Sequence, residues 1–128
     1  MRKQYHARRV GANTHIWDIH RLIPLSKELP VTSVALSDIA ERDENWWFSQ
    51  AIPTPRAIAE HIQLMNATDL SHPILLCAEG RLMDGMHRVL KAHVEGLQSL
   101  PAIRFPKTPP PDFTNVSLDD LPYPDERV

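Results

Sequence analysis

Apolar side chains follow a helical spacing soon after the start of the chain. From residue 13 onward a stripe with intervals of three and four residues predicts an amphipathic helix, and its members are Ile16, Ile19, Leu22 and Ile23. Pro24 interrupts this stripe, because a proline ring removes one helical hydrogen bond and clashes with the preceding turn. We therefore expect this helix to end or kink around residues 22–23.

Two later segments carry clearer helix signals. Thr54 is a suitable N-cap and Pro55 suits the first helical position, so a helix is predicted over residues 55–67, with one apolar face formed by Ile58, Ile62 and Met65. A third helix is predicted over residues 86–95, because Gly96 can adopt the left-handed conformation that ends a helix.

Between the helices, apolar runs and turn residues predict short strands. The segment VTSVALSDI alternates well enough for a strand, and LPAIRF favours a final one. HPILLCAEGRLMDG indicates two strands around a turn at Glu79 and Gly80. The acidic and aromatic segment AERDENWWFSQAIP has no helical stripe, and we interpret it as a loop that lies across the domain.

Both ends of the chain lack a periodic apolar pattern. Residues 1–12 carry four basic side chains and are interpreted as a flexible, solvated arm; an arm that binds nucleic acid through Arg2, Lys3, Arg8 and Arg9 is the alternative. Residues 106–128 are rich in proline and are expected to wrap in extended form or to stay loose. This leaves residues 13–105 as a single domain.

Composition narrows the class of protein. A chain of 128 residues with 42% hydrophobic residues has room for one globular domain. Fourteen basic and 16 acidic residues argue against a surface that grips nucleic acid throughout. The single cysteine, Cys77, lies in an apparent strand and cannot form an internal disulfide. With no apolar segment typical of a signal peptide or a membrane span, the cytoplasm is the expected compartment.

The segment RLMDGMHRVLKAHVEG contains the strongest candidate for chemistry. On the predicted helix one face is apolar, formed by Met86, Val89, Leu90, His93 and Leu97, and His87 and Arg88 are expected to point away from the core. Helix N-termini carry unpaired amides and a partial positive charge, and Gly85 is expected to let a ligand approach the backbone. Together these features predict a phosphate site. In the alternative, Asp84 is an ordinary N-cap and Arg88 is solvated.

The order of elements and the motif LMDGMHR resemble the ParB/sulfiredoxin-like domain over roughly residues 29–105. The resemblance implies an α/β (α+β) fold in which a small mixed sheet is flanked by helices 55–67 and 86–95. It also implies a nucleotide, accompanied by Mg²⁺, whose phosphates are bound by Gly85, His87 and Arg88, with Thr54 and Arg56 at the start of the preceding helix.

The chain departs from two branches of that family. Sulfiredoxins carry a cysteine where this chain has Met86, and a thioether cannot act as a thiolate nucleophile, so sulfinic-acid reduction is not expected. ParB proteins continue into a helix-turn-helix, which the proline-rich residues after Phe105 do not provide. The leading hypothesis is an enzyme that hydrolyses a nucleotide or transfers its phosphoryl group. The alternative is a non-catalytic module that binds a nucleotide, DNA or a protein partner; a homo-oligomer also stays open.

Phosphoryl transfer needs a group that orients the acceptor. We expect Asp43 and Glu44 to be the catalytic carboxylates, and Glu41 and Glu60 are further candidates. The loop that carries three of them can fold over a nucleotide and place Trp46 or Trp47 on its base. In the plainer alternative, the tryptophans fill the edge of the core and the carboxylates are solvated.

The seven histidines do not predict a metal site. Their spacings differ from the i,i+4 pair that places two ligands on one helix face. His93 is expected to be a buried imidazole of the core. His61, on the preceding helix, either approaches the phosphate motif or meets solvent.

Overall fold

The computed structural model describes residues 5–44, 54–117 and 120–121. In this part of the chain the strands are β1 (Tyr5–Val10), β2 (Asn13–Asp18), β3 (Thr32–Ala35), β4 (Ile74–Leu76), β5 (Leu82–Asp84), β6 (Ser99–Arg104) and β7 (Phe113–Thr114). The α-helices are α1 (Ile19–Ser26), α2 (Pro55–Ala67) and α3 (Met86–Val94). Two short 3-10 turns follow β3, at Leu36–Asp38 and Ala40–Asp43.

The chain divides into two compact units, and the predicted division into an arm, one domain and a tail differs from it. The first unit is built from the described residues up to 28 together with those from 108 onward, and the second unit is residues 29–107. None of the helices in the described residues is long and apolar enough to span a membrane.

In the first unit β2 is the central strand of a three-stranded sheet. β1 and β7 both pair with it in antiparallel orientation. The prediction of a solvated arm was wrong for residues 5–10, because β1 pairs along its whole length with β2. One of its basic side chains packs on the sheet: the Arg8 guanidinium lies 5.2 Å from the centre of the Trp17 ring.

The prediction of a helix over residues 13–18 was also wrong. These residues form β2, because they pair along their whole length with β1, and this pairing overrides the apparent helical stripe. The helix itself starts at Ile19, capped by the Asp18 carboxylate, which accepts a hydrogen bond from the His20 amide at 2.9 Å. The helix does not end at residues 22–23 as expected. It continues past Pro24 to Ser26, and only two residues of α1 follow the proline.

The proline-rich segment contributes to the first unit. The Trp17 indole N–H donates to the Pro109 carbonyl at 2.8 Å, and Arg21 forms an ion pair with Asp112 at 2.8 Å. These contacts precede β7, whose Phe113 pairs with Ile16. Trp17 is fully buried as a result, so these proline-rich residues complete the core of this unit.

The second unit is an α+β structure built on a mixed four-stranded sheet in the order β3-β6-β4-β5. β4 and β6 are parallel, and the two outer pairs are antiparallel. This confirms the predicted α+β class and the mixed sheet. The core contains Leu36, Ile39, Ile74, Leu76, Leu82, Val89, Ala92, Leu100 and Ala102.

The helix bounds in this unit agree with the sequence, but the faces that the helices bury do not fully agree. α2 has no buried residue, and Ile58 and Ile62 are 45% and 48% exposed. On α3, Val89 is buried and Met86 packs against the core as expected, whereas His93 is exposed. Ala92 is buried beside Val89 instead. The buried face of α3 is therefore narrower than the apolar stripe of its sequence.

Burial of His6 in the first unit predicts a loss of stability in acid. The side chain packs beside Trp17, with ring centres 5.8 Å apart, and burial, assisted by Arg8, lowers the pKa of His6 from 6.5 to about 4. Because the unfolded chain then binds a proton more readily than the folded one, stability is full above pH 6.5 and falls as the pH drops toward 4. The full loss is about 3 kcal/mol.

Urea denaturation at a series of pH values, followed by circular dichroism, measures this loss. The variant His6→Phe keeps a ring against Trp17 but cannot titrate, so its free energy of unfolding should fall less in acid. His20→Gln, which changes an exposed histidine of the same unit, should follow the unmodified protein. An unchanged acid dependence in His6→Phe would contradict the assignment.

Candidate functional site

Gly85 forms the corner between β5 and α3. Its φ of +112° lies in a region that side chains other than glycine rarely adopt. A Cβ added there would lie 2.6 Å from Ile74 Cγ2 and 2.9 Å from Arg88 Nη2. The expectation that Gly85 lets a ligand approach the backbone is therefore wrong on this side of the residue, because the protein's own side chains fill the space.

Arg88 packs over this corner and is largely buried, with 15% of its side chain exposed. The prediction that it points freely into solvent was therefore wrong. Its Nη2 contacts the Asp84 carboxylate at 3.2 Å, an ion pair that spans the corner. Among the described residues the buried Nε–H of Arg88 has no hydrogen-bond acceptor. The Nη2 group of the guanidinium is thus paired within the protein, whereas its Nε–H is not hydrogen-bonded to any described residue.

Asp84 anchors the guanidinium but does not cap the helix. Burial raises the pKa of Asp84, and this effect outweighs the opposing influence of Arg88 and of a hydrogen bond from the Gly85 amide. The N-cap of α3 is Gly85, which has no side chain to offer. The first-turn amides therefore receive no side-chain cap, and the helix start keeps its partial positive charge.

His87, in the first turn of α3, is paired with His61 of α2. The His61 Nδ1 and His87 Nε2 atoms are 2.9 Å apart, within hydrogen-bond distance, and both side chains are half-buried. Burial lowers the pKa of His87, and His61 and Arg88 lower it further. His87 is therefore neutral near pH 7 and presents a ring without a charge.

The packing of α2 against α3 brings the two histidines together. Further along the helices, the Lys91 ammonium donates to the carbonyls of Asn66 and Thr68, at 3.3 and 2.9 Å. The two contacts fix the register of the helix pair, so His61 meets His87 one turn before Lys91 reaches the end of α2.

The other predicted phosphate ligands lie at the start of α2. The Thr54 hydroxyl accepts a hydrogen bond from the Ala57 amide at 3.1 Å and so caps α2. Arg56 is exposed in the first turn. Because a helix rises about 1.5 Å per residue, Arg56 lies about 7.5 Å along the axis from His61. The cap of α2 is confirmed, whereas a phosphate contact of either residue stays a prediction.

The predicted catalytic carboxylates have other surroundings. Glu44 forms a two-point ion pair with Arg81, at 3.2 and 2.6 Å, and this hydrogen bonding lowers the pKa of Glu44. The buried Glu41 contacts Arg81 Nε at 2.9 Å and accepts from the Leu82 amide. Both carboxylates thus tie the 3-10 segment to the start of β5, while Asp43 is exposed.

The remaining predicted residues do not join the site. Trp46 and Trp47 lie outside the described residues. Glu60 is exposed on α2, and His93 contacts Arg42, with His93 Nδ1 and Arg42 Nη1 3.1 Å apart. In the ranges 5–44, 54–117 and 120–121 no three histidine, cysteine or carboxylate side chains are grouped so that they could hold a metal ion.

Sequence reasoning missed two contacts of this site. The i,i+4 spacing of Asp84 and Arg88 was a usable signal for their ion pair. Of the two alternatives for His61, the approach to the phosphate motif is the one observed, since its ring lies 2.9 Å from that of His87. The sequence did not identify the pairing itself, because that contact depends on how two helices pack. In comparisons with known proteins, no family model, no curated protein and no solved structure matches this chain.

The corner between β5 and α3 predicts that residue 85 must be glycine. Gly85→Ala should lower the free energy of unfolding by about 3 kcal/mol, because alanine is strained at this φ and its methyl group collides with Ile74. Gly96→Ala is the matched control: its φ is +72° and nothing in the described part of the chain crowds the added Cβ within 4 Å, so about 1 kcal/mol is expected. Urea denaturation measures both, and equal losses would contradict the collision.

Proposed function

We propose that residues 29–107 bind a phosphate-bearing ligand, a nucleoside di- or triphosphate, at the start of α3. The observation that carries this proposal is the Arg88 guanidinium, largely buried, with an Nε–H that has no acceptor among the described residues. Buried donors are normally satisfied, and a phosphate oxygen is a strong acceptor for arginine. The uncapped amides of the helix start offer further donors on the same element.

The Asp84 carboxylate is compatible with an anion at this place. It uses Nη2 of Arg88 and holds the guanidinium against the corner. Because its pKa is raised by burial, Asp84 is more readily neutralised than an exposed aspartate when a second negative charge approaches. Asp84 therefore positions Arg88, and the ligand makes its contact through guanidinium donors that Asp84 does not use.

The resemblance to the ParB/sulfiredoxin-like domain supports a nucleotide as the ligand, with Gly85 as the turn and His87 and Arg88 as the side chains beside the phosphates. Mg²⁺ would enter with the nucleotide, held mainly by phosphate oxygens and water, as is common for this ion. Asp84 is the nearest carboxylate of the motif, and it is already engaged with Arg88.

Binding is better supported than turnover. Glu44 is held by Arg81 and so is poorly suited to orient an acceptor, and no contact within residues 5–44 or 54–117 places the exposed Asp43 at the start of α3. Hydrolysis or phosphoryl transfer stays a proposal that a phosphate-release assay tests. The nucleic-acid alternative loses part of its basis, because Arg8 packs on Trp17.

Loss of the Arg88 donor should weaken nucleotide binding. Ligand present at 100 times its dissociation constant stabilises the folded state by about 2.7 kcal/mol, which a thermal melt detects. We expect such a shift with at least one of ATP, ADP, CTP and GTP in the presence of Mg²⁺. Arg88→Gln should bind that nucleotide about 10- to 100-fold more weakly, because a charge-assisted hydrogen bond contributes about 1.5–3 kcal/mol.

Two further variants make this result specific. Arg9→Gln changes an exposed arginine of the other unit and should leave the dissociation constant unchanged. Arg56→Gln tests whether the start of α2 takes part. A nucleotide that binds Arg88→Gln as tightly as the unmodified protein, while that variant remains folded, would place the ligand elsewhere.

A further inference from the structure

The hydrogen bond between His61 and His87 joins the two rings edge to edge. The two nitrogens are 2.9 Å apart, the ring centres 5.2 Å apart, and the ring planes are inclined by 26°. Ring bonds of about 1.35 Å put each atom about 1.15 Å from the centre of a five-membered ring. Two such radii and the nitrogen separation account for the whole distance between the centres. The two nitrogens therefore lie on the line that joins the rings.

An in-line pair of this kind holds one proton between its inner nitrogens. When the pair is neutral, one outer nitrogen carries a hydrogen and the other a lone pair. One added proton binds that outer lone pair, and the inner hydrogen bond becomes charge-assisted and stronger. A second added proton would place two hydrogens between the inner nitrogens and break the bond. The pair can therefore store one extra proton without a change in its geometry.

Among the described residues, four charged or titratable side chains on α2, on α3 and at the end of β5 bear on whether that proton is present. Arg88 adjoins His87 and opposes a further positive charge, and it lowers the pKa of His87 together with burial. Asp84 is turned toward Arg88. Lys91 is held by backbone carbonyls at the end of α2, and Glu60 is exposed. In the free protein, burial and Arg88 therefore disfavour a proton on His87 near pH 7.

A phosphate at the start of α3 changes this balance. Its two negative charges would lie beside Arg88 and His87 and favour the protonated pair, by the same Coulomb interaction through which Arg88 disfavours it. A phosphodiester, with a single negative charge, would favour it less. The proton comes from solvent, and no bond of the ligand is broken.

We propose that the His61–His87 pair takes up one proton when a phosphate dianion binds, so that the site selects terminal phosphate groups over phosphodiesters and binds them more tightly as the pH falls from 8 toward 6. This inference rests on the proposed function, and it adds His61 to the binding site. It also names the ligand class as a nucleotide with a free terminal phosphate, not a nucleic-acid backbone.

Sulfate is the cleanest probe, because it keeps both negative charges over this pH range and any pH dependence then belongs to the protein. ADP is the second probe. Calorimetry in two buffers of different ionisation enthalpy should report an uptake approaching one proton per bound ligand near pH 7. The dissociation constant of sulfate should accordingly increase by a factor approaching ten for each unit by which the pH increases, since one proton taken up gives a slope of about one in the logarithm.

Substitutions at the two histidines and at Asp84 test which group takes up the proton. In the double variant His61→Asn with His87→Gln, each amide stands near the bonded ring nitrogen, but neither side chain titrates, so the remaining affinity should be independent of pH. Asp84→Asn should keep the pH dependence, and so should His20→Gln, an exposed histidine of the other unit. If Asp84→Asn abolishes the dependence and the double variant keeps it, Asp84 takes the proton and the proposal is wrong.

The ring nitrogens can be observed without any substitution. In two-dimensional NMR of the imidazole groups, ADP should shift the titration of His87 to higher pH and leave that of His20 in place. If sulfate and ADP bind but the affinity for sulfate is the same at pH 6 and 8, the proton-uptake proposal fails and the proposed function stands. If neither probe binds at any pH, both fail together.

Discussion

The contact between the Arg88 guanidinium and the Gly85 backbone fixes the junction of sheet and helix in the second unit. It requires a residue without a Cβ, since Ile74 of β4 and Arg88 both occupy the space that a side chain would need. It also requires an anion nearby, because a buried guanidinium is costly without one, and Asp84 supplies that charge from the end of β5. The direction of α3, and with it the place of His87, follows from this small set of contacts.

The sequence was most informative where the signals are local. The bounds of α2 and α3 follow from a cap, a proline at the first position and a terminal glycine, all within a few residues of the helix ends. Residues 13–18 carry the first part of a helical stripe, yet their pairing with β1 makes them a strand. The apolar stripe of α2 correctly predicted a helix, but its apolar face is largely exposed. Whether such a face is buried depends on contacts that a single segment does not encode.

At the candidate site, too, the sequence predicted local features but not tertiary contacts. The motif around Gly85 indicated His87 and Arg88, and both lie at the start of α3 as expected. Their surroundings came from tertiary packing: Ile74 and Arg88 both occupy the space beside Gly85, and His61 reaches His87 only because two helices lie side by side. Glu44 has the right chemistry for an acceptor-orienting group, yet Arg81 already engages it. Residue type thus indicated a candidate role, and the neighbouring side chains limited it.

The two units differ in how their residues are ordered along the chain. The second unit is one continuous stretch, whereas the first joins β1 and β2 to residues near Pro109 and Phe113. During synthesis the ribosome makes the whole second unit before it reaches the strand that completes the first. The hairpin that carries Trp17 must therefore wait, with that indole incompletely covered, while the later-made unit has every residue it needs to fold.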